Sequence, residues 1–342
     1  MASVLVPGSD RIVAGLRRRW GGIADVRSTG ELPAEDDAMA EKGVRLLLWT
    51  DLPLWQQHGS ELIHTGYRRA CGDVWACIHS WTYIHNETVN IYSHIIGACI
   101  FLALPLYFFT TEVPPRFAIA TWVDVAVCST YFVGVAICFA LSTAFHTFMS
   151  HSERLYLLGM KLDIQGVLLL MWSATVPLIH HSLPVNDDND DPGATPRRAA
   201  HLAATTLLAA ACSAATLLPS LSGPRLGAAR AALFAAFGAG SFVAPLAHGA
   251  VLCGGLRRVA GRVALPWLGA TAACNGVGAV AYMAKGAGCE QFPEKWFPRR
   301  FDLFGASHQI MHVMVVAAAL TYTKAVLEAF DFLHEHGVQC EA

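Results

Sequence analysis

The chain has 342 residues, of which 54% are hydrophobic and only 15% charged, against roughly a quarter charged in an ordinary soluble domain. With 24 Lys+Arg against 26 Asp+Glu the formal charge is −2. That leaves no basic surface to neutralise phosphates, so nucleic acid is not expected as a partner, and the composition argues against a soluble enzyme. The 10 cysteines form no CxxC and mostly sit in apolar runs. They read as small apolar fillers rather than a disulfide frame or a thiolate metal cage.

Residues 1–45 mix Arg17, Arg18, Arg19 and Arg27 with Glu31, Glu35, Asp36 and Asp37 and show little apolar periodicity. They are expected to be a polar, disordered N-terminal segment. Residues 46–88 carry Leu46, Leu47, Leu48, Trp49, Leu52, Leu54 and Trp55, a bulk that suggests a juxtamembrane, interfacial segment. It reads equally as a membrane-surface helix or a packing strap.

A hydrocarbon core about 30 Å thick takes about 20 apolar helical residues to cross, because backbone polar groups must be satisfied internally there. Segments near Val89–Phe109, Ala120–Phe145, Leu162–Ile179, Ala199–Leu218, Ala231–Cys253, Val263–Ala284 and Phe304–Leu327 meet that test. The fold class expected is all-α: an integral, multi-pass membrane bundle of seven transmembrane helices over residues 89–327, followed by a polar C-terminal tail, 328–342. The first run starts far from Met1 with no cleavable signal pattern before it, so it does not read as a secretory leader. Asp187, Asp188, Asp190 and Asp191 lack the loop spacing of a calcium hand and read as a solvated turn.

Lys and Arg of the short loops lie somewhat more on the side of the N-terminus, where Arg68, Arg69, Arg154, Lys161, Arg299 and Arg300 fall. The expected orientation is therefore N-terminus cytoplasmic and C-terminus extracellular or lumenal, in the plasma membrane or an endomembrane.

Odd-numbered spans begin, and even-numbered spans end, on the face of the N-terminus. By that parity four polar clusters share one leaflet: Glu87, Asn90, Ser93 and His94 at span one; Ser142 and His146 at span two; Asp163 at span three; Ser307, His308 and His312 at span seven. Ionisable groups at membrane depth are costly and mostly face one another or a watery cavity. His308 and His312, four apart on a helix, put two imidazoles on one face. His146 supplies a third neutral nitrogen at that depth, and three histidines plus a water make the open set of a catalytic Zn2+, an intramembrane zinc site. Asp163 could be a fourth ligand, an acceptor that orients an imidazole, or the base for a metal-activated water, the last being preferred. Its bland alternative is an ion pair with Lys161 or Arg154. Ser142, one turn before His146, could point at the same water or at a substrate carbonyl, or simply bond its own helix backbone. His180, His181, His201, His248, His334 and His336 read as packed or solvated, and His94 as a hydrogen-bonded core residue.

Four ordered motifs carry a resemblance: Asn86-Glu87-Thr88-Val89-Asn90-Ile91-Tyr92-Ser93-His94, Ser142-Thr143-Ala144-Phe145-His146, Asp163-Ile164-Gln165-Gly166 and Ser307-His308-Gln309-Ile310-Met311-His312. In order and spacing they resemble the progestin and adipoQ receptor family, which is related to hemolysin III and includes the adiponectin receptors and fungal zinc-homeostasis membrane proteins. The similarity runs from about Trp49 to Leu327, with Leu52-Pro53-Leu54-Trp55 and Thr65-Gly66-Tyr67-Arg68 as its lead-in. It implies a seven-helix bundle with the N-terminus inside, zinc held by His146, His308 and His312, and Asp163 reaching the metal through water. It also implies, by likeness to the adiponectin receptors and to alkaline ceramidases, hydrolysis of ceramide to sphingoid base and free fatty acid.

The functional expectation is a zinc-dependent lipid amide hydrolase, ceramidase-like, with a receptor or signalling role in lipid or zinc homeostasis. In it, Asp163 takes a proton from water and Ser142 helps place the oxygen. Its partners would be a membrane lipid, as ceramide-like substrate or free fatty acid, and an extracellular protein ligand. The rival is a non-catalytic receptor whose zinc is a structural clasp. A transporter would be expected to show internal repeats, and a retinal protein a buried Lys in span seven, where Lys324 lies too near the far end.

Overall fold

Long apolar runs fold as helices in hydrocarbon because each segment must then bond its own backbone. The computed structural model describes residues 45–57, 61–112, 121–184, 194–218, 220–221, 226–283 and 292–336. The N-terminal segment and the aspartate-rich turn lie outside them. The helices are α1 (Val74–His79), α2 (Thr88–Tyr107), α3 (Trp122–Phe148), α4 (Glu153–Ser182), α5 (Ala194–Leu217), α6 (Gly227–Gly238), α7 (Ala244–Leu252), α8 (Leu256–Val259), α9 (Leu265–Met283) and α10 (Ser307–His336). Single π-helical turns follow α2 at Phe108–Glu112 and join α6 to α7 at Ala239–Val243.

Among the described residues, six stretches are long and apolar enough to cross a membrane: Thr88–Thr111, Trp122–Phe148, Glu153–Ser182, Thr195–Leu217, Ala232–Leu252 and Ser307–Glu335. The expected sixth span corresponds to α9, which at 19 residues is shorter and is not among the six. Large side chains on these helices point away from the protein: Leu102 and Leu106 are each 69% exposed, and Val251 is 77% exposed. Apolar exposure on that scale is what lipid covers.

Two helices run longer than expected. The fourth starts at Glu153, where Ser152 accepts a hydrogen bond from the Leu155 N–H, rather than near Leu162. The last continues to His336, past the expected end at Leu327, because Phe330 and Leu333 keep an apolar face buried there. The segment before α1 is a strap rather than a surface helix. Leu47 and Tyr67 exchange backbone hydrogen bonds at 2.7 and 3.2 Å, and Leu52 is buried while Leu54 points outward.

The third helix is the central one, packed between α2 and α4, and α10 lies against α2, α3, α4 and α9. Phe101, Phe132, Val135 and Phe139 are fully buried between α2 and α3. Two tyrosines fasten α10 to its neighbours without leaving a bare hydroxyl in the core: Tyr131 donates to the Ala319 carbonyl at 2.7 Å, and Tyr322 to the Ala174 carbonyl at 2.6 Å.

Small residues set how near α3 and α4 come. A Cβ on Gly166 would sit 3.1 Å from Cys138 Cα, and one on Gly134 would sit 2.1 Å from Ser173 Oγ. Gly166 lies three positions after Asp163, on the same helix face, so this close approach carries Asp163 toward α3. Gly134→Val is therefore expected to lower the thermal unfolding midpoint of the detergent-solubilised protein, by a loss of about 1–3 kcal/mol from overpacking. Leu102→Ala on the lipid face should change it far less, and equal shifts in the two variants would contradict this packing account.

Candidate metal centre

His146 stands in the last turn of α3, and His308 and His312 in the first two turns of α10. One nitrogen from each ring lies within 4.8 Å of the others. His308 Nε2 is 3.4 Å from His146 Nε2 and 3.1 Å from His312 Nε2. A ring nitrogen offers one proton or one lone pair, not both, so His308 Nε2 cannot make two good hydrogen bonds at once. Three Nε2 atoms directed at one point are better matched to a shared cation than to mutual hydrogen bonding. His146 and His312 are buried, and His308 is half-buried. Three histidines this close could hold a metal.

The other nitrogen of His146 is held from a third helix. Glu87, at the start of α2, accepts from His146 Nδ1 at 2.8 Å and from the Asn90 amide at 2.6 Å. That hydrogen bond fixes the His146 tautomer with its Nε2 lone pair toward the cluster, the arrangement by which a carboxylate orients a metal-ligating imidazole. Burial opposes ionisation of Glu87. The His146 N–H, the nearby His146 and His308 rings and the Asn90 amide outweigh burial and hold the carboxyl below the usual carboxylate range. Two residues further back, burial and the neighbouring Arg68 push the His85 imidazole down to about 3. It is therefore neutral, and its Nδ1 accepts from the Glu87 N–H at 3.1 Å.

Backbone contacts hold the ends of these helices. The buried Arg68 guanidinium donates to the carbonyls of His146 and Thr147 and to Ser80 Oγ, satisfying free carbonyls at the end of α3. Glu294 accepts from Ser307 N and Oγ, each at 2.7 Å, placing a negative charge at the N-terminus of α10 where the helix dipole favours it. Gln309 donates to the Asn86 carbonyl at 2.9 Å and so ties α10 to the start of α2. Gln309, which stands between the two α10 histidines, therefore acts together with Arg68 and Glu294 to fix the positions of the two helix ends.

Asp163 is not one of the three-residue group. It interacts with the Ser142 hydroxyl and lies near His146, and among the described residues it has no ion pair with Lys161 or Arg154. Ser142 is buried on α3. His94 stacks on His312 at a ring separation of 4.0 Å and on Phe139 at 4.6 Å. Among the described residues neither of its nitrogens has a hydrogen-bond partner, and ring contacts rather than the expected hydrogen bond hold it.

The remaining histidines are less isolated than their sequence positions suggest. Asp124, at the other end of α3, meets His180 at 3.3 Å and His334 at 3.4 Å. His334 is therefore docked to α3 and not a solvated tail residue. His201 on α5 and His248 on α7 face each other at 2.9 Å. The side chain of His336 lies outside the described residues. The cysteines also divide: Cys128, Cys138 and Cys212 are buried apolar fillers, Cys71 is exposed against Cys77, and Cys253 is disulfide-bonded.

The fold and this cluster define a multi-span helical membrane protein with a three-histidine centre near one end of the bundle. The family description "Haemolysin-III related" matches residues 82–323, so the chain belongs to the haemolysin-III-related family. It is 31% identical over 315 residues to the "ADIPOR-like receptor IZH2" of Saccharomyces cerevisiae, covering 91% of this chain and 93% of that protein. It is 29% identical over 326 residues to the "Adiponectin receptor protein" of Drosophila melanogaster, covering 93% of this chain but 66% of the relative. To the "Progestin and adipoQ receptor-like protein 1" of Caenorhabditis elegans it is 28% identical over 315 residues, 89% of this chain and 68% of the relative.

Glu87 is the residue whose role the sequence reading missed. Glu87→Gln keeps the shape but loses the charge that fixes the His146 tautomer, and is expected to weaken zinc affinity about 10–100-fold in a competition titration with a chelating dye. Affinity unchanged from the wild type would contradict the orienting role.

Proposed function

We propose that the protein is a zinc-dependent lipid amide hydrolase acting on ceramide-like substrates, built on seven membrane spans with α9 as the sixth crossing. The observation that carries the reading is the division of roles at the site. Three imidazoles make up the ligand group, while a carboxylate, Asp163, and a hydroxyl, Ser142, stand beside it outside that group. A closed structural zinc uses four protein ligands, whereas three leave a position for water or substrate. At 19 residues, α9 spans about 28 Å, close to the hydrocarbon thickness, and its Val280 is 76% exposed.

Zinc held by His146, His308 and His312 would supply a Lewis acid for the amide carbonyl and would acidify a water. The chain's own groups supply the rest. Glu87 keeps the His146 tautomer; Asp163 accepts the proton of the attacking water on its carboxylate and returns it to the leaving amine; and Ser142 holds Asp163 in place and hydrogen-bonds the reacting oxygen. The apolar outer face of the bundle favours a substrate that arrives from the membrane, and the product on that reading is a free fatty acid.

Two observations support a cytoplasmic N-terminus and an extracellular or lumenal C-terminus. The short-loop cations lean to the N-terminal side. Cys253, at the end of α7 on the opposite face, is disulfide-bonded, while Cys71 and Cys77 on the N-terminal face are free, as expected of oxidising and reducing compartments. A second reading is favoured by the names of the relatives, which call them receptors. In it a ligand outside, such as a protein, shifts a bundle that zinc merely clasps.

Turnover separates the two. Purified zinc-loaded protein in lipid nanodiscs with long-chain ceramide is expected to release fatty acid. Asp163→Asn should lower the rate about 10²–10⁴-fold while keeping its zinc, and His308→Ala should lose both. No turnover by zinc-loaded wild type, or equal turnover in Asp163→Asn, would reject the hydrolase and leave the clasp.

A further inference from the structure

Outside the histidine centre, on the face of the N-terminus, two thiols meet. Cys71 Sγ and Cys77 Sγ are 3.3 Å apart, and closing that gap to the about 2.05 Å of a disulfide needs only a small motion. The two differ in access: Cys71 is exposed and Cys77 is 1% exposed. Gly72, with φ +63 and nothing within 4 Å of its would-be Cβ, gives the chain freedom to bend just after Cys71. The backbone of this loop is docked on the turn between α3 and α4, through Cys71 N–H to the Ser150 carbonyl at 3.2 Å and Gly72 N–H to the His151 carbonyl at 3.0 Å.

Cys71 also lines a cavity of about 570 Å³ whose wall includes Arg45, Arg68, Arg69 and His79. Arg68 is buried and lies near the Glu87 carboxylate, which offsets part of its charge, so the exposed cations beside Cys71 are Arg45 and Arg69. Such a site favours an anionic solute.

We propose that Cys71 and Cys77 are a redox-active dithiol, oxidised to a disulfide by exchange with an anionic low-molecular-weight disulfide that enters the cavity beside Cys71. The Cys71 thiolate attacks one sulfur of that disulfide, whose S–S bond breaks, and the first leaving thiolate takes a proton from water. Cys77 then gives up its proton to water and attacks Cys71 Sγ, releasing the second thiolate and leaving the Cys71–Cys77 bond. The protein loses two electrons and one external disulfide becomes two thiols. Burial and the contact with Cys71 push the Cys77 thiol up to about 11, which suits it to the second step and not the first. The pair stands apart from the hydrolase reading and is unaffected by its failure.

The test uses the full chain in phosphatidylcholine nanodiscs, with glutathione disulfide as probe, alkylation of remaining thiols and peptide mass mapping. The expected result is a Cys71–Cys77 linked peptide, loss of two alkylatable thiols per chain, and recovery of both with dithiothreitol. Oxidation should be at least tenfold faster than with the cationic disulfide cystamine. Cys77→Ser should stop at a mixed disulfide on Cys71, and Cys71→Ser should leave Cys77 unmodified. Full alkylation of both thiols after treatment, modification of Cys77 in Cys71→Ser, or equal rates with the two probes would overturn the proposal.

Discussion

Three imidazole nitrogens within 4.8 Å of one another, from two helices and inside an apolar bundle, are the constraint around which the rest of this structure is arranged. Neutral rings brought this close cannot satisfy one another, since His308 Nε2 faces two partners with a single proton or lone pair to offer. Left bare, such a buried cluster would cost stability. A cation at the convergence point turns the same geometry into a favourable one, and the surroundings are consistent with that use.

The surroundings are polar only where polarity positions something. Glu87 reaches across from α2 to His146, Arg68 closes the end of α3, Glu294 opens α10, and Gln309 fastens α10 to the start of α2. Arg68, Glu294 and Gln309 bond backbone groups at or beside helix ends, where such groups are otherwise unpaired, and Glu87 bonds the His146 ring itself. Elsewhere the bundle is mostly aromatic and aliphatic packing, broken by the Asp124–His180–His334 and His201–His248 contacts and tightened by Gly134 and Gly166 between α3 and α4. That tightening brings Asp163 beside Ser142 while leaving it outside the ligand group, a placement on which the hydrolase reading depends.

Much of this was legible in the amino-acid order. Long apolar runs mark most of the spans, and the alternation of direction from span to span puts His146, His308 and His312 on one side without any knowledge of packing. The partner of His146 was not legible, because Glu87 is 59 positions away and nothing local pairs them. The same holds for Asp124, which sits between His180 and His334. The continuation of α10 through Asp331, His334 and Glu335 was hidden by their polarity, although Phe330 and Leu333 keep the helical period. Cys71 and Cys77 were read with the apolar cysteines because neither the turn at Gly72 nor the docking of the loop on Ser150 leaves a mark in composition.

The central claim is that these three histidines bind one zinc ion and leave a position open. Zinc K-edge X-ray absorption of the purified chain measures it most directly. The account predicts one zinc per chain with three imidazole nitrogens at about 2.0–2.1 Å and one light oxygen neighbour, the signal disappearing in the His146→Ala, His308→Ala double variant. A preparation without zinc, or a spectrum dominated by sulfur at about 2.3 Å, would contradict it.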